Sequence, residues 1–367
     1  MPSSVAEQIR ATRLAFLIAG FATAGWAPLV PFAREHAGLD EGRLGLLLLC
    51  LGFGSMTAMP LAGALVARVG CRSVLALSSV MICAALPVLA TSGEFSVLCF
   101  ALSLFGVAVG ALDCAMNVQA VIVERASGRA MMSGFHGLFS LGGILGAAAV
   151  SALLSLGVQL LVAIACVIVC ILVALAFAYP HSLRAGEDRG PAFAIPRGLV
   201  LFLGVLCFIA FLAEGAMLDW SAVFLISRGV EPARAGLGYA LFAGAMTLGR
   251  LTGDRLVQRL GAKLAFALGS VTAASGIALL ALFGAWTGFV LVGLGCANLV
   301  PLLYSALAKQ DSMPESAAVP ALTMLGYAGI LAGPAAIGFV ADSTSLASAL
   351  LIVAALLLGV AASARAV

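Results

Sequence analysis

Residues 63–74 read GALVARVGCRSV and residues 254–265 read DRLVQRLGAKLA. Arg68, Gly70 and Arg72 of the first stretch fall on Arg259, Gly261 and Lys263 of the second at a constant offset of 191. Glycine suits a tight turn, and cations on either side of it hold the turn at a membrane surface. Each stretch closes one long apolar run and opens another. The pattern therefore predicts a short hinge between two membrane-crossing helices, present twice in the chain. Two like bundles related by an axis along the membrane normal are the expected architecture.

The composition agrees. Of 367 residues, 63% are hydrophobic and 10% charged, with a mean hydropathy of +1.17, which is a multi-pass membrane protein and not a soluble domain. A net charge of +3, dispersed along the chain, gives no nucleic-acid-binding surface. Eight of the nine cysteines lie inside apolar runs and only Cys71 sits in a polar connection, so they read as small packing residues. Residues 1–13 form a short polar tail with Glu7, Arg10 and Arg13, and no cleavable signal is expected.

A span needs about 20 apolar residues. Runs between charged or turn-forming breaks give twelve candidates: 14–33, 44–66, 73–92, 95–122, 132–156 and 158–179, then 199–226, 236–257, 263–283, 285–308, 319–341 and 346–363. The longest connection, PHSLRAGEDRGPAFAIPR at 180–197, divides an N-terminal six-helix bundle (1–179) from a C-terminal one (198–367). With both termini cytoplasmic, 15 basic residues fall on the inner side, and only Arg34, Arg43, Arg228 and Arg234 fall on the outer side. That is the bias expected of a membrane protein so oriented.

Span 4 contains GVAVGALDCAMNVQAVIVER, residues 106–125. Gly106, Gly110, Asp113 and Asn117 share one stripe, and its glycines admit another backbone. Asp113 lies roughly 15 Å from the cytoplasmic end of its helix. A charge at that depth costs about 2.5–3.5 kcal/mol, so the side chain is expected in the bundle interior or a water-filled cavity. No Arg or Lys is expected at its level in the first half. A protonatable acid fits better than a permanent ion pair, with packing glue between helices as the alternative.

The chain has two asparagines, Asn117 in span 4 and Asn298 in span 10, which occupy equivalent places in the two halves. Both are candidates for holding one ligand. Span 7 carries FLAEGAMLDW, in which Glu214 is the cavity candidate and Asp219 with Trp220 an interfacial anchor. His136 in span 5 is a candidate for hydrogen-bonding a solute, with a backbone-satisfied histidine as the alternative. Arg250 and Asp254 are four apart on span 8 and read as an ion pair near its cytoplasmic end. Tyr239, Tyr304 and Tyr327 are candidates for lining a sugar-sized cavity or for plain helix packing.

Taken together, these features resemble the major facilitator superfamily. Its loop signature G-x-L-x-D-R-x-G-R-R is recognisable from Gly63 to Arg72, although the acidic position is Ala67 here and Gln258 in the second copy. The resemblance implies a gating role for the cytoplasmic loop residues Arg68, Gly70, Arg72, Arg250, Asp254, Arg259 and Gly261. The missing acid puts the usual charge relay in doubt. Within the superfamily, Asp113-x-x-x-Asn117, HGLFSLG from His136 and Ala213-Glu214 look like the fucose permease branch and a bacterial inner-membrane group related to rhizopine uptake proteins. Ala27 stands where that branch has a second acid.

The similarity implies proton symport of a small hydrophilic solute (a sugar, sugar acid or polyol) across the bacterial cytoplasmic membrane. Asp113 and Glu214 would be the coupling acids, and Asn117, His136, Glu214, Asn298 and Tyr327 the solute-binding groups. A monomer is expected, with no cofactor and no metal. A proton-driven exporter is the first alternative, but the Gly-Pro signature of such antiporters is missing from span 5, where the chain reads GGILGA at 142–147. A membrane receptor would need a signalling segment that none of the loops is long enough to hold. An enzyme would need a nucleophile–base or nucleotide-binding motif, and none is found.

Overall fold

The computed structural model describes residues 4–184, 195–310 and 313–367. It is all-helical. Among the described residues, nine helices are long and apolar enough to cross a membrane. Most of the linker expected at 180–197, including Arg189, lies outside the described residues.

Helix α1 (Val5–Ala24) starts on a capping box, in which Ser4 Oγ accepts from the Glu7 amide and the Glu7 carboxylate accepts from the Ser4 amide. The single span expected over 14–33 is interrupted. Pro28 and Pro31 lack the N–H that would continue the ladder, so a 3-10 turn (Ala27–Leu29) separates α1 from α2 (Val30–His36). Helix α3 (Glu41–Thr91) follows, with Asp40 capping its start through the Arg43 amide at 2.7 Å. It is two helices joined at Gly70, whose φ of 81° and ψ of 161° lie where essentially only glycine goes.

The second copy of the sequence pattern does the same. Gly261, at φ 81° and ψ 155°, separates α8 (Pro232–Leu260) from α9 (Ala262–Phe283). The repeat is thus one of backbone geometry as well as of residues.

Helices α4 (Phe95–Ser127), α5 (Met132–Ser155), α6 (Leu160–Ala178) and α7 (Gly198–Ser227) are continuous. The span expected at 285–308 is not. It divides into α10 (Thr287–Cys296) and α11 (Leu299–Leu307), with Asn298 at the break. Pro301 explains this, because it has no N–H for the carbonyl of Ala297 four residues earlier. Helices α12 (Glu315–Ser343) and α13 (Leu346–Ala362) complete the chain.

The contacts cluster into two compact units. The first takes Met1–Ser127, Leu138–Ala194 and Met313–Pro320, and the second takes Gly128–Gly137, Ile195–Ser312 and Ala321–Val367. The first turn of α5 therefore belongs to the second unit and the first turn of α12 to the first. In the first unit, α4 lies backbone to backbone on α3: a side chain at Gly106 would strike the carbonyl of Leu51, and one at Gly110 the carbonyl of Ser55. Ser55 Oγ donates to Gly106 O at 2.9 Å across the same contact. In the second unit, α10 packs on α8 and α9, and α13 on α7 and α9.

Candidate functional site

In the first unit, Asp113 and Asn117 occupy one face of α4. Asn117 is buried, Asp113 half-buried. Asn117 Nδ2 donates to the Asp113 backbone carbonyl at 2.9 Å and reaches its Oδ1 at 3.4 Å. The amide nitrogen is thereby used within the helix, while Asn117 Oδ1 is buried without a donor. Among the described residues, no ion pair is seen at Asp113. An acid placed this way can take up and release a proton without first breaking a salt bridge.

The second unit holds the denser cluster. Arg250 Nη2 of α8 sits 3.3 Å from both Oε1 and Oε2 of Glu214 on α7, with side chains 8% and 11% exposed. The spacing on α8 had pointed to Asp254 as the partner of Arg250. Glu214, 36 residues away in sequence, supplies the carboxylate, and Asp254 Oδ2 instead accepts from the Gly134 amide at 2.9 Å. Gly134 lies in the first turn of α5, where free amides and the helix dipole favour a carboxylate.

His136, two residues on, is buried, and its Nδ1 lies 3.0 Å from the carbonyl of Met132. A carbonyl only accepts, so Nδ1 carries a hydrogen. The imidazole lies 5.6 Å from the ring of Tyr304 on α11. The hydroxyl of Tyr304 in turn meets Thr323 Oγ1 of α12 at 2.6 Å. Asn298, at the break between α10 and α11, is buried and lays its Oδ1 against the bare Cα of Gly253, one turn past Arg250. That oxygen has no hydrogen-bond donor.

The predicted residues thus group as Asp113 with Asn117 and, separately, Glu214 with Arg250, His136 and Asn298. Tyr327 packs on Phe211 with ring centroids 5.9 Å apart, and Tyr239 packs on Phe242 at the same distance. Thr323 had no signal in the sequence, since a threonine in an apolar helix is unremarkable until a buried hydroxyl faces it.

The loop residues differ among themselves. Arg68 and Arg259 are exposed. Arg72 is half-buried: it stacks over Tyr179 at 4.6 Å, and its Nε donates to the Tyr179 carbonyl at 2.6 Å. Its amide donates to Leu183 O at 2.7 Å, which ties the hinge to the chain leaving α6. Gln119 Oε1 accepts from the Leu183 amide, and Gln119 Nε2 donates to Thr12, so a buried glutamine that the sequence reading passed over fastens three segments. Arg125 at the end of α4 pairs with Glu315 at the start of α12.

The family model described as Major Facilitator Superfamily matches residues 14–326. An uncharacterized MFS-type transporter of Yersinia pestis is 55% identical over 99% of this chain and 96% of its own length. The membrane protein MosC of Rhizobium meliloti is 30% identical over 95% of this chain and 87% of its own. Among solved structures, the Escherichia coli fucose:proton symporter FucP superposes with a TM-score of 0.79 at 15% identity, covering 98% of this chain and 97% of that one. The human organic anion transporter MFSD10 gives 0.82 at 17% identity, covering 99% and 100%. At such identities these two likenesses speak for the fold.

Proposed function

The chain belongs to the major facilitator superfamily, and on that premise we propose that it is a proton-coupled symporter of a small hydrophilic solute working by alternating access. Membership makes it a multi-pass transporter of the bacterial inner membrane and not an enzyme. The solute class in this reading is a sugar, sugar acid or polyol, and FucP and the proton:xylose symporter XylE share the fold. Asp113 carries the proton, with Glu214 as the second acid. Asn117, His136, Glu214, Asn298 and Tyr327 hold the solute. The hinges at Gly70 and Gly261, with Arg68, Arg72, Arg250, Asp254 and Arg259, gate its exit. The protein acts as a monomer.

The same reading has twelve spans with both termini cytoplasmic. The candidate Gly42–Thr91 counts twice because it bends at Gly70, and two further helices join the nine: the charge-rich Pro232–Leu260 and Leu346–Ala362, which is short at 17 residues.

One observation carries the coupling role: Asp113 is half-buried in an apolar helix, with Asn117 as its hydrogen-bond partner and no cation paired to it among the described residues. A proton moving down 100 mV supplies about 2.3 kcal/mol, enough for roughly 50-fold accumulation. Asp113→Asn keeps the size and hydrogen-bonding capacity of the side chain but removes its exchangeable proton. In proteoliposomes it is expected to abolish uphill uptake while leaving counterflow exchange near wild-type rates. Accumulation undiminished in this variant would rule out Asp113 as the coupling group. Overexpression that confers broad resistance to dyes and biocides would point to export instead.

A further inference from the structure

The first unit carries a pair of thiols that transport does not use. Helix α4 runs beside the first part of α3 in the same direction, and contacts on either side of the pair fix the register. Toward the two helix starts, the Arg43 guanidinium lies over the Phe95 ring at 5.4 Å. Further along, a side chain at Gly54 would strike the carbonyl of Ser103, and one at Gly106 the carbonyl of Leu51. Cys50 is one turn before Gly54 and Cys99 is one turn before Ser103, so this register sets the two cysteines opposite each other. Their thiols meet there, with Cys50 as a side-chain hydrogen-bond partner of Cys99. Cys50 Sγ donates to the Leu46 carbonyl at 3.4 Å, so the Cys99 thiol is the donor between the two sulfurs.

The setting suits redox chemistry. Cys71, Cys83, Cys114, Cys207 and Cys296 are buried, and the exposed Cys166 and Cys170 lie on another helix. Cys50 and Cys99 are half-buried, and Leu46, Leu49 and Phe100 beside them are exposed, so a small apolar reagent can reach the pair. Cys99 is only about 6 Å along α4 from the helix start. In the proposed orientation that end faces outward, toward an oxidising compartment. Two thiols in contact can do what neither does alone: one takes an adduct and the other displaces it.

We propose that Cys50 and Cys99 form a reversible disulfide, oxidised by an organic disulfide, that staples α3 to α4 near the outer surface. One cysteine thiolate attacks the oxidant, which gives a mixed disulfide and releases a first thiol. The second cysteine sulfur attacks the mixed disulfide, forms the Cys50–Cys99 bond and releases a second thiol. The two cysteines together lose two electrons and two protons, and the oxidant is reduced to two thiols. The new bond closes a loop that contains the Gly70 hinge, and a constraint on so long a loop stabilises the fold. The proposal rests on the orientation given above and not on the solute or the coupling ion.

The test uses the full-length protein with Cys166→Ser and Cys170→Ser, purified reduced in detergent and treated with dipyridyl disulfide. Peptide mapping is expected to recover Cys50 and Cys99 in one disulfide-linked peptide, with no pyridyl group kept on either. Oxidation is expected to raise Tm by about 3–5 °C, and dithiothreitol to reverse the rise. Cys50→Ser in the same background is expected to keep a pyridyl adduct on Cys99 and to show no rise. Pyridyl adducts kept on both cysteines of the parent protein would overturn the proposal, because the thiols would then be out of each other's reach. So would two thiols that stay unreacted. In aerobic cells blocked with N-ethylmaleimide before lysis, the linked peptide is again expected, and alkylation of both cysteines there would overturn the proposal. An error in orientation is distinguished by reporter fusions, which read the outer side directly and leave the reaction in detergent unaffected.

Discussion

At the scale of single residues, the chain confines its polar chemistry to a few positions, and the partners of those positions decide what each can do. Glu214 and Arg250 illustrate this. Their side chains are 11% and 8% exposed and stand 3.3 Å apart, so each neutralises a charge that the apolar surroundings would otherwise penalise. Removing one member leaves the other uncompensated, and a buried pair broken this way loses about 3–5 kcal/mol. Glu214→Gln is therefore expected to lower the unfolding free energy by about that amount. The double variant Glu214→Leu with Arg250→Met, which removes both charges together, is expected to stay within about 1 kcal/mol of wild type. Thermal unfolding of the two variants side by side checks the coupling, and equal losses would mean that the charges are satisfied independently. The sequence pointed to all the residues involved but not to who meets whom. Arg250 has an acid four residues on, which is a local and visible pairing, while Glu214 comes to it from another helix by tertiary packing alone.

At the scale of helices, glycine and proline punctuation sets the geometry. Gly70 and Gly261 adopt nearly the same conformation, φ 81° with ψ 161° and 155°, and a side chain there costs about 1–3 kcal/mol. Gly70→Ala and Gly261→Ala are each expected to lower stability by that amount in thermal unfolding. Gly244, inside α8 with no atom near its Cβ position, is the control that alanine should stabilise by about 0.5–1 kcal/mol. These hinges were legible because the physical requirement falls on one residue type and appears twice. The interruptions of the first and tenth spans were not, although Pro28, Pro31 and Pro301 stood in plain view. Proline within an apolar run is compatible with either a bent helix or a broken one, and neighbouring helices settle which. Pro301→Ala restores an N–H for the Ala297 carbonyl. It is expected to join α10 to α11, raise Tm and lower the transport rate by moving Asn298. A variant that transports at the wild-type rate would show that the break is a packing detail.

At the scale of the whole molecule, the proposed orientation rests on the distribution of basic residues, and the arginines it would leave on the outer side are instructive. Arg228 follows α7 and donates from Nη2 to the carbonyl of Ala281 at 2.6 Å, in the last turn of α9, where a cation suits the helix dipole. Arg34 reaches Leu39 O at 3.3 Å, and Arg43 lies over the ring of Phe95 at 5.4 Å. Three of the four exceptions are thus committed to helix ends or an aromatic face, which in the proposed orientation would give them a reason to sit on the outer side. In that proposed orientation the inner-side cations include the exposed Arg68 and Arg259 of the two hinges. Turn glycines with positive φ lie between helices at Gly128, Gly157, Gly229 and Gly284, which makes them suitable junctions for reporter fusions. Twelve spans with an inner N-terminus require alkaline phosphatase to be active when joined after Gly157, Gly229 or Gly284. Green fluorescent protein should then fluoresce after Gly128, Gly261 or Val367. Activity of both reporters on one side of α13 would remove a span from the count. The Arg34, Arg43 and Arg228 alanine variants, singly or together, should leave the reporter pattern unchanged, because their contacts serve helix ends or an aromatic face while the proposed orientation rests on the inner cations. A pattern inverted by any of them would transfer the control of orientation to the outer surface.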